Sequence, residues 1–177
     1  LVQDMVVALE LARDDPRITT LVLNLDNFGG GLMPHLEIVA DGIRDFRAAG
    51  KKVIAASNGY SQSSLLLAAE ADEILMNPEY AALPEGFSAY RTYFSSLLNR
   101  LNVTVNLFKV GQYKSAAEPY FQDRMSDEDK RARLAYLNAW WNTYTDRFET
   151  ARGLPAESLN DTIDNIQAVL ESASGNL

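Results

Sequence analysis

The sequence predicts an α/β fold on a mostly parallel sheet, followed by helices. Three observations predict it. Short strands rich in branched apolar residues alternate with helical segments up to about Val110, glycine and proline punctuate the junctions, and 47% hydrophobic content over 177 residues is enough for one domain with a real core. Strands separated by helices pair in parallel through right-handed crossovers.

The elements follow in order. Val2, Met5, Val6 and Leu9 recur at helical spacing, and Asp14-Asp15-Pro16 ends that helix because proline cannot continue the backbone ladder. Thr20 to Asp26 (TLVLNLD) reads as a strand, and the glycine-rich turn Asn27 to Gly31 follows it. Leu36, Val39, Ala40, Ile43 and Phe46 mark a second helix, closed by Gly50. Lys52 to Ala56 is a second strand, Gln62 to Ala71 a third helix apolar on most sides, and Glu73 to Met76 a third strand. Ala81 to Phe87 is read as an edge strand. Tyr93, Phe94, Leu97, Leu98 and Leu101 mark a fourth helix, and the alternating Val103 to Val110 a fourth strand.

After Pro119 the character changes. Ser126 before Asp127, Glu128 and Asp129 is a helix start, with carboxylates at the positive end of the dipole. Leu134, Leu137, Trp141, Tyr144 and Phe148 form one stripe of a long helix, Tyr136 and Trp140 lie on a second face, and Gly153-Leu154-Pro155 ends it. A last helix is expected from about Ala156 to Ser172. The expected division is residues 1–125 as the α/β core and 126–177 as a helical extension packing on the core or on a neighbouring domain.

Charge and composition narrow the function. A net charge of -8, from 16 basic and 24 acidic residues, argues against nucleic-acid binding, which needs a basic face. It also offers no polybasic attraction to anionic lipid. The absence of cysteine excludes disulfides, thiol catalysis and thiolate metal sites. The single histidine, His35, excludes a histidine-rich metal centre and reads as a surface or capping residue. No apolar run is long enough to span a bilayer. The chain opens at Leu1 in a helical pattern, which suggests an excised piece with any anchor upstream.

Four features bear on chemistry. The turn Gly29-Gly30-Gly31 lies between strand and helix, where backbone N–H groups can hold an anion. It matches neither a dinucleotide fingerprint nor a Walker loop, so an oxyanion donor, a docking edge for a substrate strand and a plain turn stay open. Ser57, Ser61, Ser63 and Ser64 cluster at a strand-to-helix junction, where a nucleophile is well placed but helix capping is the plainer role. Lys114, in Val110-Gly111-Gln112-Tyr113-Lys114-Ser115-Ala116-Ala117-Glu118-Pro119, has small or apolar neighbours. A lysine kept neutral by desolvation serves as a general base, and an ordinary surface lysine is the alternative.

The stretch VGQYKSAAEPYFQDRMSDEDKRARL resembles the lysine motif of the signal peptide peptidase A (protease IV) family. ITTLVLNLDNFGGG, FRAAGKKVIAASNGYSQSSLLLAAEADEILMNP and WWNTYTDRF are similar to other segments of that family in the same order, so the likeness covers nearly the whole chain. It implies a Clp protease/crotonase-like core and a serine nucleophile with Lys114 as general base. No histidine, cofactor or metal is implied. The family's nucleophile stands in an Ala-Ser-Gly-Gly-Tyr-like turn, and Gln62 occupies that place here, within Ser61-Gln62-Ser63-Ser64-Leu65. A glutamine cannot attack an acyl carbon.

The pattern resembles the first half of the long fused form of the family, in which a second half supplies the serine. In that case the Gly29 to Gly31 turn can be a vestige, and Ser115 a supporting group. The resemblance further implies peptide substrates left from signal peptides, homo-oligomers, and an anchor upstream of this chain. It implies the bacterial cytoplasmic membrane, with the catalytic part on the periplasmic side. Two other functions compete: a non-catalytic substrate-binding or oligomerisation module, suggested by the two aromatic helix faces, and an acyl-CoA-binding crotonase relative, disfavoured by the lack of a basic cluster near the glycine turn.

Overall fold

The computed structural model describes residues 2–106 and 115–173. The chain is α/β with a parallel sheet. It divides into two compact units, Leu1–Gly86 with Thr143–Leu177, and Phe87–Asn142.

The first unit opens with α1 (Val2–Asp14), β1 (Thr20–Asn24), α2 (Met33–Ala48) and β2 (Lys52–Ser57). It continues with β3 (Tyr60–Ser61), α3 (Gln62–Ala69), β4 (Glu73–Met76) and β5 (Ala82–Leu83). Strands β1, β2 and β4 form a parallel sheet in that order, with Leu23 opposite Ala55 and Ala55 opposite Ile74. Parallel neighbours need a crossover, and α2 and α3 supply the two crossovers. Central strand β2 alternates, so Val53, Ala55 and Ser57 are buried while Lys52, Ile54 and Ala56 reach the other face. The buried face packs with Leu36, Val39, Ile43 and Phe46 of α2 and Leu65, Leu66 and Leu67 of α3. Val22 and Leu75, on the other face, stay exposed.

Helix α1 lies against α2, where an added Cβ on Gly42 would stand 2.9 Å from Leu9 Cδ1. Lys51 fixes the end of α1 by donating from Nζ to the carbonyls of Ala12 and Asp15, at 2.6 and 2.7 Å. Helix α3 is nearly all buried and starts at Ser61, whose Oγ accepts from Ser64 N at 3.3 Å.

The long helix α6 (Asp127–Arg152) begins in the second unit and ends in the first. In the first unit its Tyr144, Thr145 and Glu149 are buried. Arg147 joins it to α2 and to the end of α3, donating from Nε to Glu70 Oε1 at 3.1 Å and from Nη2 to Asp41 Oδ1 at 2.7 Å. Arg152 donates to the Ala71 carbonyl at 3.0 Å. Glu149 holds the start of α7 (Ser158–Asp164) by accepting from the N–H groups of Glu157 and Leu159, at 3.0 and 2.8 Å. That carboxylate supports Glu157 at φ 66°, a backbone setting unusual for a residue with a side chain. Helix α8 (Ile166–Ala173) follows.

The second unit holds α4 (Ser95–Arg100), α5 (Glu118–Phe121) and the first part of α6. Asp123 caps α4 by accepting from Ser96 N at 2.8 Å. Ser126 caps α6, accepting from Asp129 N at 3.1 Å, and its hydroxyl donates to buried Glu118 at 2.7 Å.

Four expectations need correction. Residues 103–106 are irregular rather than the start of a strand, and residues 107–110 lie outside the described residues. The edge strand shrinks to Ala82–Leu83, which pairs with β3 in a sheet of its own. Tyr93 and Phe94 precede α4 rather than open it. The last helix breaks at Asn165 into α7 and α8.

Candidate active site

The candidate site grows from the end of β2. Asp26, just past β1, accepts at Oδ1 from Asn58 N at 2.6 Å and from Asn58 Nδ2 at 3.0 Å, and Ser57 Oγ approaches the same oxygen at 3.2 Å. The Asn58 amide, then Ser57, outweigh the cost of partial desolvation and hold the Asp26 carboxyl below its usual range. Ser57 Oγ also donates to the Gly59 carbonyl at 2.7 Å. This tie between β1 and β2 sets the turn that leads into α3.

Beyond it lies a cleft of about 490 Å³, lined by Gly29, Gly30, Ser61, Gln62, Ser63 and Glu85 among others. Gly30 sits at φ 92°, and a Cβ there would meet Ser63 Oγ at 3.5 Å. The glycine turn and the serine cluster, far apart in sequence, therefore share one cleft. Among the described residues, no lysine or histidine lines it.

Three of the four serines are engaged locally. Ser61 caps α3, Ser64 Oγ returns to the Ser61 carbonyl at 3.1 Å, and Ser57 is tied down as described. His35 is exposed in the first turn of α2, where its backbone N–H donates to the carbonyl of Leu32, the residue that caps the helix.

Gln62 has the most specific arrangement. Its Oε1 accepts from two successive backbone N–H groups, Glu85 at 2.8 Å and Gly86 at 2.7 Å. Gly86 at φ 78° belongs to the kind of turn in which neighbouring amides converge on one oxygen. Such a pair can hold a carbonyl or carboxylate oxygen, and here the protein's own side chain fills it. Nothing in the sequence around Glu85 signals this contact, which depends on the return of the chain after β5.

Lys114 lies outside the described residues. The residues after it are well defined. Ser115 Oγ donates to Asp129 Oδ1 at 2.6 Å, and Arg133 Nε donates to Asp129 Oδ2 at 2.8 Å. Arg91 donates to the carbonyls of Ser115 and Ala116, at 3.0 and 3.2 Å. Burial pushes the Asp129 carboxyl up, but the Ser115 and Arg133 hydrogen bonds and the Arg133 and Arg91 charges outweigh it, so the carboxyl titrates below its ordinary value. Burial, with the charges of Glu118 and Asp129, pushes the Tyr93 phenol up; its buried hydroxyl has no hydrogen-bond partner among the described residues.

Residues 45–174 match peptidase family S49. The chain belongs to peptidase family S49. It is 37% identical over 173 residues to Protease 4 of Haemophilus influenzae, a match covering 98% of this chain and 28% of that relative. It is 35% identical over 156 residues to Protease 4 of Salmonella typhi, covering 88% of this chain and 25% of that one. The chain thus spans about a quarter of the length of the curated S49 relatives it matches. The S49 match takes in β2, the Gln62 side of the cleft but not its glycine turn, Lys114 and the long helix α6.

Proposed function

We propose that this chain forms part of a serine-type endopeptidase, supplying Lys114 as general base while a second half supplies the serine. The observation that carries the reading is the S49 match across the segment holding Lys114, in a chain whose Gln62 stands where the family resemblance expects the nucleophile. Gln62 has no nucleophilic atom, and its amide oxygen is already committed to the Glu85 and Gly86 amides.

The chemistry is acyl transfer. Neutral Lys114 Nζ removes the proton from the incoming serine Oγ as that oxygen bonds to the peptide carbonyl carbon. The ammonium returns the proton to the leaving amine as the C–N bond breaks. Water then attacks the acyl ester with the same amine as base, releasing the acid and the free serine. We further propose apolar peptides left from signal peptides as substrates. The proposed setting is the periplasmic side of a bacterial cytoplasmic membrane, with a homo-oligomeric assembly. No helix among the described residues is long and apolar enough to cross a membrane, so this chain would meet the bilayer through other segments.

A second reading, a non-catalytic binding or assembly module, draws on the second unit. There Trp140 packs against Phe87 and Tyr136, with ring centroids 5.8 and 5.0 Å apart, and both Tyr136 and Trp140 remain exposed. The test is hydrolysis of an apolar fluorogenic peptide by the complete two-half polypeptide. Loss of turnover in Lys114→Ala, by roughly 100-fold or more, supports the base role. Full activity in Lys114→Ala, with assembly lost in Trp140→Ala, would establish the module instead.

A further inference from the structure

We infer that Asp129 and Arg91 are positioning residues for the proposed reaction, acting through the Ser115–Ala116 peptide that directly follows Lys114. The inference rests on the general-base reading of Lys114.

The peptide is held from both sides. On the side-chain side, Ser115 Oγ donates to Asp129 at 2.6 Å, a short charge-assisted bond. The Asp129 side chain is only 7% exposed, so water competes poorly for that oxygen. Asp129 is itself fixed twice: Arg133 occupies its second oxygen at 2.8 Å, and its backbone N–H donates to the Ser126 cap. On the backbone side, one planar guanidinium spans two successive carbonyls, with Arg91 Nη1 on Ser115 and Nη2 on Ala116. A lysine ammonium at position 91 cannot reproduce that fork.

Two charged side chains, Asp129 and Arg91, thus hold a two-residue stretch of irregular chain, and Arg133 fixes Asp129. A turn that needed only to be ordered could rely on its own backbone bonds, such as Glu118 N to the Ser115 carbonyl at 3.0 Å. The additional anchors fix Ser115, the residue bonded to position 114. Positioning of this kind matters for a base, because displacing a reacting group by about 1 Å costs on the order of 100-fold in rate.

The experiment uses the complete polypeptide and the apolar fluorogenic peptide, with Lys114→Ala, Asp129→Asn, Ser115→Ala, Arg91→Lys and the Ser115→Ala/Asp129→Asn double variant. Asp129→Asn and Arg91→Lys are expected to lower kcat by about 10- to 100-fold with KM close to wild type, in assays run well below the Tm of each variant. Because Asp129 acts through Ser115, the double variant should be no slower than the worse single one. Wild-type kcat in Asp129→Asn, or multiplying effects in the double variant, overturns the inference while Lys114→Ala remains inactive. Full activity in Lys114→Ala overturns the general-base reading beneath it. If Asp129→Asn does not fold, Ser115→Ala with Arg91→Lys decides by the same kcat criterion.

Discussion

Arg147→Met tests how the end of α6 is held in the first unit. The Glu70 side chain is 2% exposed, and the Arg147 guanidinium meets its Oε1 with a hydrogen bond from Nε at 3.1 Å and an ion-pair contact from Nη2 at 3.0 Å. Its other oxygen has no partner among the described residues. Removing Arg147 therefore strands a buried carboxylate, a change that costs about 3–5 kcal/mol. The arm to Asp41 reaches a half-exposed carboxylate and adds at most about 1 kcal/mol. Methionine keeps most of the packing, so the expected loss is near the lower end, about 3 kcal/mol. At about 2–4 °C per kcal/mol for a chain of this size, Tm falls by about 6–12 °C. Urea unfolding followed by far-ultraviolet circular dichroism measures the loss. Glu70→Leu in the same background should recover most of it, since an apolar pair replaces a buried ion pair at little cost. A loss under about 1 kcal/mol in Arg147→Met, or no recovery in the double variant, would refute the burial argument.

Three further outcomes follow. Asp129 titrates below its ordinary value when folded, so its contribution is complete above the unfolded carboxylate range near pH ~4 and disappears as pH falls through the folded value. Asp129→Asn should flatten the acid limb of a stability-versus-pH curve below that range; an unchanged slope would contradict it. Glu149→Ala removes the acceptor for two backbone N–H groups and should cost about 1–3 kcal/mol, with faster hydrogen exchange at Glu157 and Leu159; unchanged exchange there would sink the idea. Lys114→Ala should abolish turnover in the complete polypeptide, read by the fluorogenic peptide assay.

Much of the fold was legible because local signals coincided with tertiary need. The alternation in β2 and the apolar spacing of α2 both point at one buried face. Ser126 before three acids marked the start of α6, and the hydroxyl does cap it. What the sequence hid depends on long-range return of the chain. The two-residue strands β3 and β5 carry no period, and Asp123 capping α4 lies 27 positions from its partner. The stripe on α6 marked Tyr144 as inward, but not that Arg147 beside it would bridge α2 and α3. At the candidate site, the glycine turn and the serine cluster were each visible in the sequence, but not that strand order brings them to one cleft. Nor was the engagement of Gln62 visible, because its partners are backbone amides with no side-chain signature.

The hold of Glu85 and Gly86 on Gln62 makes that position historically sticky. A serine placed there by one substitution would be too short to reach those amides, leaving two donors without their acceptor and a loop without its tether. Placing a nucleophile at residue 62 would therefore require a new acceptor for both amides as well as the hydroxyl itself.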